Sequence, residues 1–298
     1  PLLHRGPLPA LGLKVRIRRC LYLPRFVNKR MIILRSGGLG DFILTIPILS
    51  QALALYEEVL LYARPCHSSL LKDALPSIRT MDLDADLSGI GEWLPGADVV
   101  TFWSDQEWRE ELKRGGARNL YFPSSRPKEG PHVTKAMFAS LKWSWRKELS
   151  HHPWLGDHWA KGRSCLWIHP GSGSPSKNCS LSLFEGCASR WLAAAPENEV
   201  VFSFGEADEE VRNHFSLTAV CEDQRVRATS LSNLSSFRNE LSERGAVFIG
   251  NDSGPGHLSA SIGIPTKILF RASDPAIWRP LGPRVKIYDL SSEVSKIL

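Results

Sequence analysis

The sequence predicts an α/β protein with two domains, each built on a parallel β-sheet. Three segments support this, because each places a short apolar run before a glycine-rich turn and a helix-forming stretch. They begin at Met31, Ser164 and Ala246. The 298 residues are enough for two domains with separate cores. We therefore expect a Rossmann-like order of strand, turn and helix in each half of the chain.

The composition is that of a soluble globular protein, but the positive charge is unevenly placed. Hydrophobic residues make up 43% and charged residues 23% of the chain, and no apolar run approaches the roughly 20 residues that span a bilayer. Residues 1–30 hold eight of the 37 Lys and Arg and no acid, so the rest has 29 against 31 Asp and Glu. This slightly negative charge outside residues 1–30 does not suit nucleic-acid binding, and we expect no nucleic-acid partner.

The basic segment 1–30 precedes the first predicted strand. We interpret it as an extension upstream of a natural start at Met31, either disordered or peripheral. An alternative is an amphipathic stretch over residues 11–23 that contacts an anionic membrane, although its irregular apolar spacing favours the first interpretation. Three arginines, Arg16, Arg18 and Arg19, interrupt any apolar region of a secretory signal.

The six cysteines form no C-x-x-C pair and match no disulfide or zinc pattern. A reducing cytoplasm therefore fits the chain best, with most thiols acting as small core residues. Residues 151–158 are the predicted linker between the domains. Their His-His…Asp-His cluster has neither helical nor hairpin spacing, so we expect no metal there.

The first unit combines an apolar strand over residues 31–34, a glycine-rich turn over 35–41 and a predicted helix over 42–56. A dinucleotide cofactor is not indicated. Ile43 replaces the third glycine of that fingerprint, and Arg64 follows the second strand where a ribose-binding acid is expected. Asp41 closes the turn, at a position that suits the N-cap of the helix.

The stretch 246–265 places a polar turn between a buried strand and a helix. Residues 251–253 are turn formers and N-caps, and the helix containing His257 stops at Gly263. The free N–H groups at the start of such a helix suit a phosphate. An acid, a hydroxyl and an imidazole within six positions suit a sugar beside it. A capped turn without a ligand is the alternative, because such turns are common in parallel α/β folds.

Two further turns repeat this plan. Residues 164–168 precede a glycine-rich loop over 169–174, whose N–H groups could cradle a diphosphate. Residues 200–204 precede an acid-rich turn. There, Glu209 and Glu210 are either ligand contacts or acids of a first helical turn.

The pattern N-D-S-G-P-x-H-L-x-A-x-x-G-I-P at residues 251–265 resembles the C-terminal signature of glycosyltransferase family 9. The best-known members of that family are lipopolysaccharide heptosyltransferases. Two further matches, at residues 33–51 and 168–184, occur in the order and spacing of the family. Together the three matches span most of residues 31–298, which makes the resemblance fairly specific.

The resemblance implies the GT-B architecture, in which two Rossmann-like α/β domains face a cleft. Residues 31–155 would hold the acceptor and residues 156–283 the nucleotide sugar, followed by a strand and a helix in 284–298. It implies inverting transfer of a sugar, heptose by family default, from a donor such as ADP-heptose, with no metal and no cofactor. The acceptor would be a glycan or lipid-linked molecule of cell-envelope polysaccharide synthesis, such as lipopolysaccharide. Transfer would occur in the cytoplasm, with the chain free or peripheral at the inner face of the membrane.

The resemblance also implies roles for single residues. Asp41 is the expected general base, because the acceptor hydroxyl must lose its proton as it attacks the anomeric carbon. Gly38 and Gly40 belong to the acceptor-side loop around it. The expected donor-binding residues are Ser172, Gly173, Lys177, Glu209, Asp252, Ser253, Gly254 and His257.

Two segments depart from the family pattern. Cys179 and Ser180 stand where W-P is usual, and residues 271–275 stand where the family has F-G-P-T-x-P-like residues. The first departure implies either a reshaped donor pocket or lost activity. Two other functions therefore stay open. One is a nucleotide-sugar epimerase, which consumes no second sugar. The other is a nucleotide-sugar-binding protein of the same fold that does not catalyse.

Overall fold

A computed structural model describes residues 28–85, 87–156 and 163–290. Within them, a first parallel sheet has the strand order β3-β2-β1-β4-β5. Its strands are β1 (Asn28–Leu34), β2 (Tyr56–Ala63), β3 (Arg79–Asp82), β4 (Asp98–Thr101) and β5 (Asn119–Tyr121). All four residues of β4 are buried, as expected of a central strand covered on both faces.

The second sheet is also parallel and has the order β11-β10-β9-β6-β7-β8 in the same described part of the chain. Its strands are β6 (Cys165–His169), β7 (Glu199–Phe204), β8 (Val226–Ser230), β9 (Gly245–Asn251), β10 (Thr266–Phe270) and β11 (Val285–Asp289). The largest buried side chain of this sheet is Trp167, on the central strand β6. Two parallel sheets confirm the predicted α/β class.

The α-helices of the described residues connect these strands. They are α1 (Leu39–Ile43), α2 (Ile46–Leu55), α3 (Pro65–Ser68), α4 (Gln106–Arg114), α5 (Val133–Ser140), α6 (Leu181–Ala194), α7 (Glu209–Phe215), α8 (Leu234–Arg244), α9 (Gly254–Ile262) and α10 (Pro275–Trp278). Not one of them is long and apolar enough to cross a membrane.

Each sheet reverses its strand order beside its first strand. The reversal lies between β1 and β4 in the first sheet, and between β6 and β9 in the second. In open α/β sheets, ligands bind in the crevice at the carboxyl ends of the strands where this reversal occurs. The predicted ligand loops follow β1, β6 and β9, so the topology places all three at such crevices.

The predicted helix over residues 42–56 is wrong in one respect, because it is two helices. Pro47 lacks the N–H group that would bond to the carbonyl of Ile43, and its ring would clash with that carbonyl. Helix α1 therefore ends at Ile43, and Pro47 lies in the first turn of α2. The N–H of Thr45 donates to the carbonyl of Phe42 rather than to that of Asp41.

Strand β1 begins at Asn28, three residues before the predicted start. Arg30 forms an ion pair with Glu58 at 2.6 Å, and its guanidinium lies 4.9 Å from the ring centroid of Trp93. Residues 28–30 of the predicted extension are therefore part of the sheet. Residues 1–27 lie outside the described residues, as do Asp157 and His158 of the predicted linker and the helix predicted after residue 290.

Candidate active site

Helices α1 and α9 bring the first predicted ligand turn against the last. A Cβ atom added to Gly40 would lie 3.0 Å from Cδ2 of His257. A Cβ atom added to Gly254 would lie 2.7 Å from Cβ of Leu39. Both glycines therefore allow close backbone contact between the two domains. The contact places Asp41 beside the 251–257 stretch, although the two are more than 200 residues apart in the sequence.

Asp41 lies at the third position of α1, so the prediction that it could be the N-cap is wrong. Gly38 is the N-cap, and its N–H donates to Oδ2 of Asp41 at 3.2 Å. Arg35 donates from Nη2 to Oδ1 of Asp41 at 3.0 Å. The Asp41 side chain stays 32% exposed, so a substrate hydroxyl could reach it.

The turn before Asp41 needs glycine. Gly37 has φ +108°, a conformation that residues with a Cβ rarely adopt. A Cβ atom there would lie 2.8 Å from Oδ2 of Asp41. The glycine-rich sequence thus clears space beside the carboxylate.

A charged cluster lies on the other side of the cleft. Lys177 Nζ is 2.7 Å from Oδ2 of Asp252, and Ser273 donates its hydroxyl to the same oxygen. His257 Nε2 is 3.7 Å from Oδ1 of Asp252. Burial opposes ionisation of Asp252, but nearby His257, together with the charge and hydrogen bond of Lys177, lowers its pKa below the ordinary value. Asp252 is therefore an ionised carboxylate that holds two potential cations in place.

Two polar atoms of this cluster have no hydrogen-bond partner among the described residues. They are Oγ of Ser253 and Nδ1 of His257. Ser253 is 9% and His257 4% exposed. Buried polar atoms are nearly always bonded, so an unpartnered pair calls for an explanation such as an absent ligand. Ser253 is also the N-cap of α9, and its side chain does not bond to the helix.

The side chain of Asn251 also connects the loop after β6 to the 251–254 turn. Asn251 donates from Nδ2 to the carbonyl of Pro170 at 2.7 Å and accepts from the N–H of Cys179 at 3.1 Å. Within the loop, the hydroxyl of Ser172 lies 2.7 Å from acceptors on Ser174 and Asn178. Ser172 is thus committed to loop structure. A Cβ atom on Gly173, by contrast, would meet nothing within 4 Å among the described residues.

In the acid-rich turn after β7, three acids are exposed and one is buried. Glu209 is exposed in the first turn of α7, and it lines a shallow surface depression with Glu206 and Glu210. None of the residues that line this depression belongs to the cluster around Asp252. The buried acid is Asp208, which accepts from the N–H of Gly205 at 2.7 Å.

Asp208 packs against the end of β6 and the start of the loop that follows it. Its Oδ2 is 3.5 Å from Nε2 of His169, whose Nδ1 bonds to the carbonyl of Ser203 at 2.9 Å. Burial lowers the pKa of His169 below its ordinary value, although the Asp208 charge and the Ser203 carbonyl oppose the shift. A Cβ atom on Gly171 would lie 1.9 Å from Oδ1 of Asp208.

Sequence reasoning missed Arg35, Asp208 and Ser273 as parts of the site. Arg35 and Asp208 had a usable signal, because each belongs to a glycine-rich turn after a strand. Ser273 carried no signal, since only the fold brings it to Asp252.

The two segments that depart from the family pattern lie beside each other. Arg271 donates from Nη1 to the carbonyl of Asn178 at 2.7 Å, immediately before Cys179. Burial raises the pKa of the Cys179 thiol to about 11, so the thiol is neutral near pH 7. The departures are therefore one local change in the wall beside Lys177 rather than two separate ones.

Comparisons with known proteins identify the family of the chain. The sequence model of glycosyltransferase family 9 (heptosyltransferase) matches residues 134–296, more than half of the chain. Among curated proteins, none matches the sequence.

Several solved structures share the fold. A family 9 glycosyl transferase from Veillonella parvula DSM 2008 superposes with TM-score 0.66 at 16% identity, covering 89% of this chain and 88% of that one. E. coli ADP-heptose lps heptosyltransferase II gives TM-score 0.63 at 15% identity, covering 87% and 90%. E. coli heptosyltransferase WaaC with ADP gives TM-score 0.62 at 13% identity, covering 87% and 93%.

Proposed function

Because the chain belongs to glycosyltransferase family 9, we propose that it transfers a sugar from a nucleoside diphosphate donor to an acceptor hydroxyl, with inversion at the anomeric carbon. The observation that carries this proposal is the pair of unpartnered buried atoms on Ser253 and His257, beside Lys177 and opposite Asp41. Heptose from ADP-heptose is the family default for the donor.

The cluster around Asp252 suits a diphosphate. Lys177 supplies a positive charge that is 35% exposed. The start of α9 supplies the N–H of Gly254 and partial positive charge, since Pro255 has no N–H and Gly256 bonds to the carbonyl of Ser253. Ser253 and His257 can each donate a further hydrogen bond to a phosphate oxygen. Asp252 orients Lys177 and His257 rather than meeting the phosphate itself, because its negative charge would repel it.

Asp41 suits the role of general base. The acceptor oxygen attacks the anomeric carbon, and its proton passes to the Asp41 carboxylate as the bond from that carbon to the diphosphate oxygen breaks. The charge that develops on the leaving diphosphate is stabilised by Lys177 and the start of α9. These groups make a metal or a cofactor unnecessary for the step.

The other predicted contacts complete the proposal. Gly38 and Gly40 line the acceptor side, Gly173 leaves its side of the loop open for the donor, and Glu209 would approach the nucleoside. We place the reaction in the cytoplasm, with a glycan or lipid-linked acceptor of envelope polysaccharide synthesis and an optional peripheral contact with anionic membrane.

A donor screen tests the proposal. Thermal unfolding is measured with ADP-, UDP-, GDP- and dTDP-linked sugars, because a ligand at 100 times its Kd adds about 2.7 kcal/mol to stability. One nucleotide class should raise Tm by several degrees in the wild type and by less in Ser253→Ala and His257→Ala. Ser176→Ala, which changes an exposed hydroxyl of the same loop, is the control. No stabilisation by any donor would contradict the proposal.

Analysis of the reaction products distinguishes a transferase from the two alternative functions. The stabilising donor is incubated with glycan acceptors, and mass spectrometry follows the products. A glycosylated acceptor supports transfer. A changed donor without an acceptor product indicates an epimerase. Tight binding without any product over a broad acceptor panel indicates a binding protein, as the departure at Cys179 and Ser180 allows.

A further inference from the structure

Arg35 is a buried guanidinium at the carboxyl end of β1. It is 3% exposed, and its Cζ lies 3.9 Å from the ring centroid of Phe102. Burial lowers the pKa of Arg35, while the charge and hydrogen bond of Asp41 oppose the shift. A buried cation is costly unless it is paired and hydrogen-bonded. The carboxylate that pairs with this one is the proposed base.

Arg35 also binds the main chain of Asp41. Its Nε and Nη2 each lie 3.2 Å from the Asp41 carbonyl oxygen. That oxygen has no helical partner, because the break before Pro47 turns the N–H of Thr45 toward Phe42. The hydroxyl of Thr45 fills part of the gap at 2.9 Å. The helix break thus creates the acceptor that the guanidinium uses.

These contacts restrain both the main-chain carbonyl and the side-chain carboxylate of Asp41. One carboxylate oxygen accepts from Arg35 and the other from the N–H of Gly38. The guanidinium is in turn fixed by stacking on Phe102. A planar group with forked donors can bind a carbonyl and a carboxylate together, which the single ammonium of lysine cannot reproduce. The exposed carboxylate is therefore held from the buried side.

We propose that Arg35 is a positioning residue for the transfer, which fixes the Asp41 carboxylate in the orientation that receives the acceptor proton. The inference rests on the proposed role of Asp41. Misplacement of a reacting group by about 1 Å can cost on the order of 100-fold in rate. Loss of Arg35 should therefore lower kcat while the donor site, on the other sheet, keeps its affinity.

Chemical rescue tests this proposal. Arg35→Ala should lose about 10- to 100-fold in kcat at nearly unchanged donor KM. Guanidinium chloride at tens of millimolar, far below denaturing concentrations, should restore kcat in a dose-dependent way by filling the vacated space, while ammonium chloride should not. Arg35→Lys should remain impaired. Arg109→Ala is the matched control, because exposed Arg109 stacks on Phe122 at 4.0 Å without contacting Asp41. Its kcat should be unchanged and insensitive to guanidinium.

The outcomes distinguish a failure of the positioning role of Arg35 from a failure of the proposed base role of Asp41. Wild-type kcat in a folded Arg35→Ala overturns the positioning role, as does a loss of kcat that guanidinium does not restore. If Arg35→Ala does not fold, Arg35→Gln decides in the same way, by lowered or unchanged kcat at constant donor KM. Full activity of Asp41→Asn would instead remove the proposed base. An inactive Asp41→Asn with a fully active Arg35→Ala removes only this inference.

Discussion

The two domains use the same local arrangement after a strand, and Asp41 and Asp208 show what differs. In each case a glycine caps a helical turn, and an aspartate three residues later accepts the N–H of that glycine, from Gly38 at 3.2 Å and from Gly205 at 2.7 Å. The Asp41 side chain is 32% exposed and that of Asp208 is 4% exposed. The same turn chemistry thus presents one acid to the cleft and hides the other.

The residues packed around Asp41 and Asp208 explain this difference in exposure. Asp41 lies where α1 meets α9 of the other domain, and its side chain stays partly exposed there. Asp208 lies under the loop after β6, with Gly171 against its carboxylate and His169 at 3.5 Å. If Asp41 is the proposed base, the same aspartate position serves catalysis in one turn and supports a loop in the other, and the packing around it selects between these uses.

The largest effect is expected from Asp41→Asn. The Asn side chain keeps an oxygen that can accept the N–H of Gly38, but it removes the charge that pairs with buried Arg35, so the variant should fold with a lower Tm than the wild type. It cannot accept the proton, so kcat should fall on the order of 10²–10⁴ with donor affinity kept. Steady-state kinetics and calorimetry measure both quantities. An active Asp41→Asn would leave Asp41 with the scaffolding role that we assign to Asp208.

Asp208→Ala should act mainly on stability. It removes a buried charged hydrogen bond to Gly205 and leaves His169 without its acid, which should cost about 2–3 kcal/mol in urea unfolding. Asp105→Ala is the control, because Asp105 is an exposed N-cap of α4 whose loss should cost only about 1 kcal/mol. Equal costs for the two variants would contradict the buried role of Asp208.

Gly171→Ala should disturb the loop after β6. The added Cβ would overlap Asp208, so the loop or the acid must shift, at about 1–2 kcal/mol. Gly173→Ala, whose Cβ would meet nothing within 4 Å among the described residues, is the matched control for stability. Chemical denaturation of both variants gives the comparison. A Gly171→Ala protein as stable as Gly173→Ala would show that the contact is not restrictive.

The smallest effect concerns pH. Burial lowers the pKa of His169 from its ordinary value of 6.5, so the unfolded chain takes up a proton first as pH falls. Stability contributed by neutral His169 is therefore present above pH 6.5 and is lost as the pH drops below it, by at most about 1.4 kcal/mol per pH unit. Urea unfolding from pH 7 to 5.5 should show a weaker pH dependence in His169→Gln. An unchanged slope would place the titration elsewhere.

Much of the fold follows from local patterns in the chain. Apolar runs before the turns at Gly37, Gly171 and Gly254 predict buried parallel strands, and the structure confirms them. Strands β3 and β8 were not predicted, because they are short, contain no buried residue and lack an apolar run. Edge strands of this kind gain their structure from the neighbouring strand rather than from their own side chains.

The family and the type of reaction could be recognised from three spaced motifs, because ligand turns need particular residues at particular spacings. The roles of the single residues in the site remain predictions. Among the consecutive acids Asp208, Glu209 and Glu210, the sequence favours none for burial, since all three suit a first helical turn.

The sequence alone thus determined most of the strands, the glycine turns and the family, because backbone conformation and apolar periodicity are local properties. Only the tertiary structure decided which polar groups meet. Arg35 pairs with Asp41 because Pro47 ends α1 early and frees a carbonyl. Asp208 is buried because Gly171, 37 positions earlier, admits its carboxylate. These contacts depend on the packing of distant segments, and no local pattern encodes the depth at which a side chain is buried.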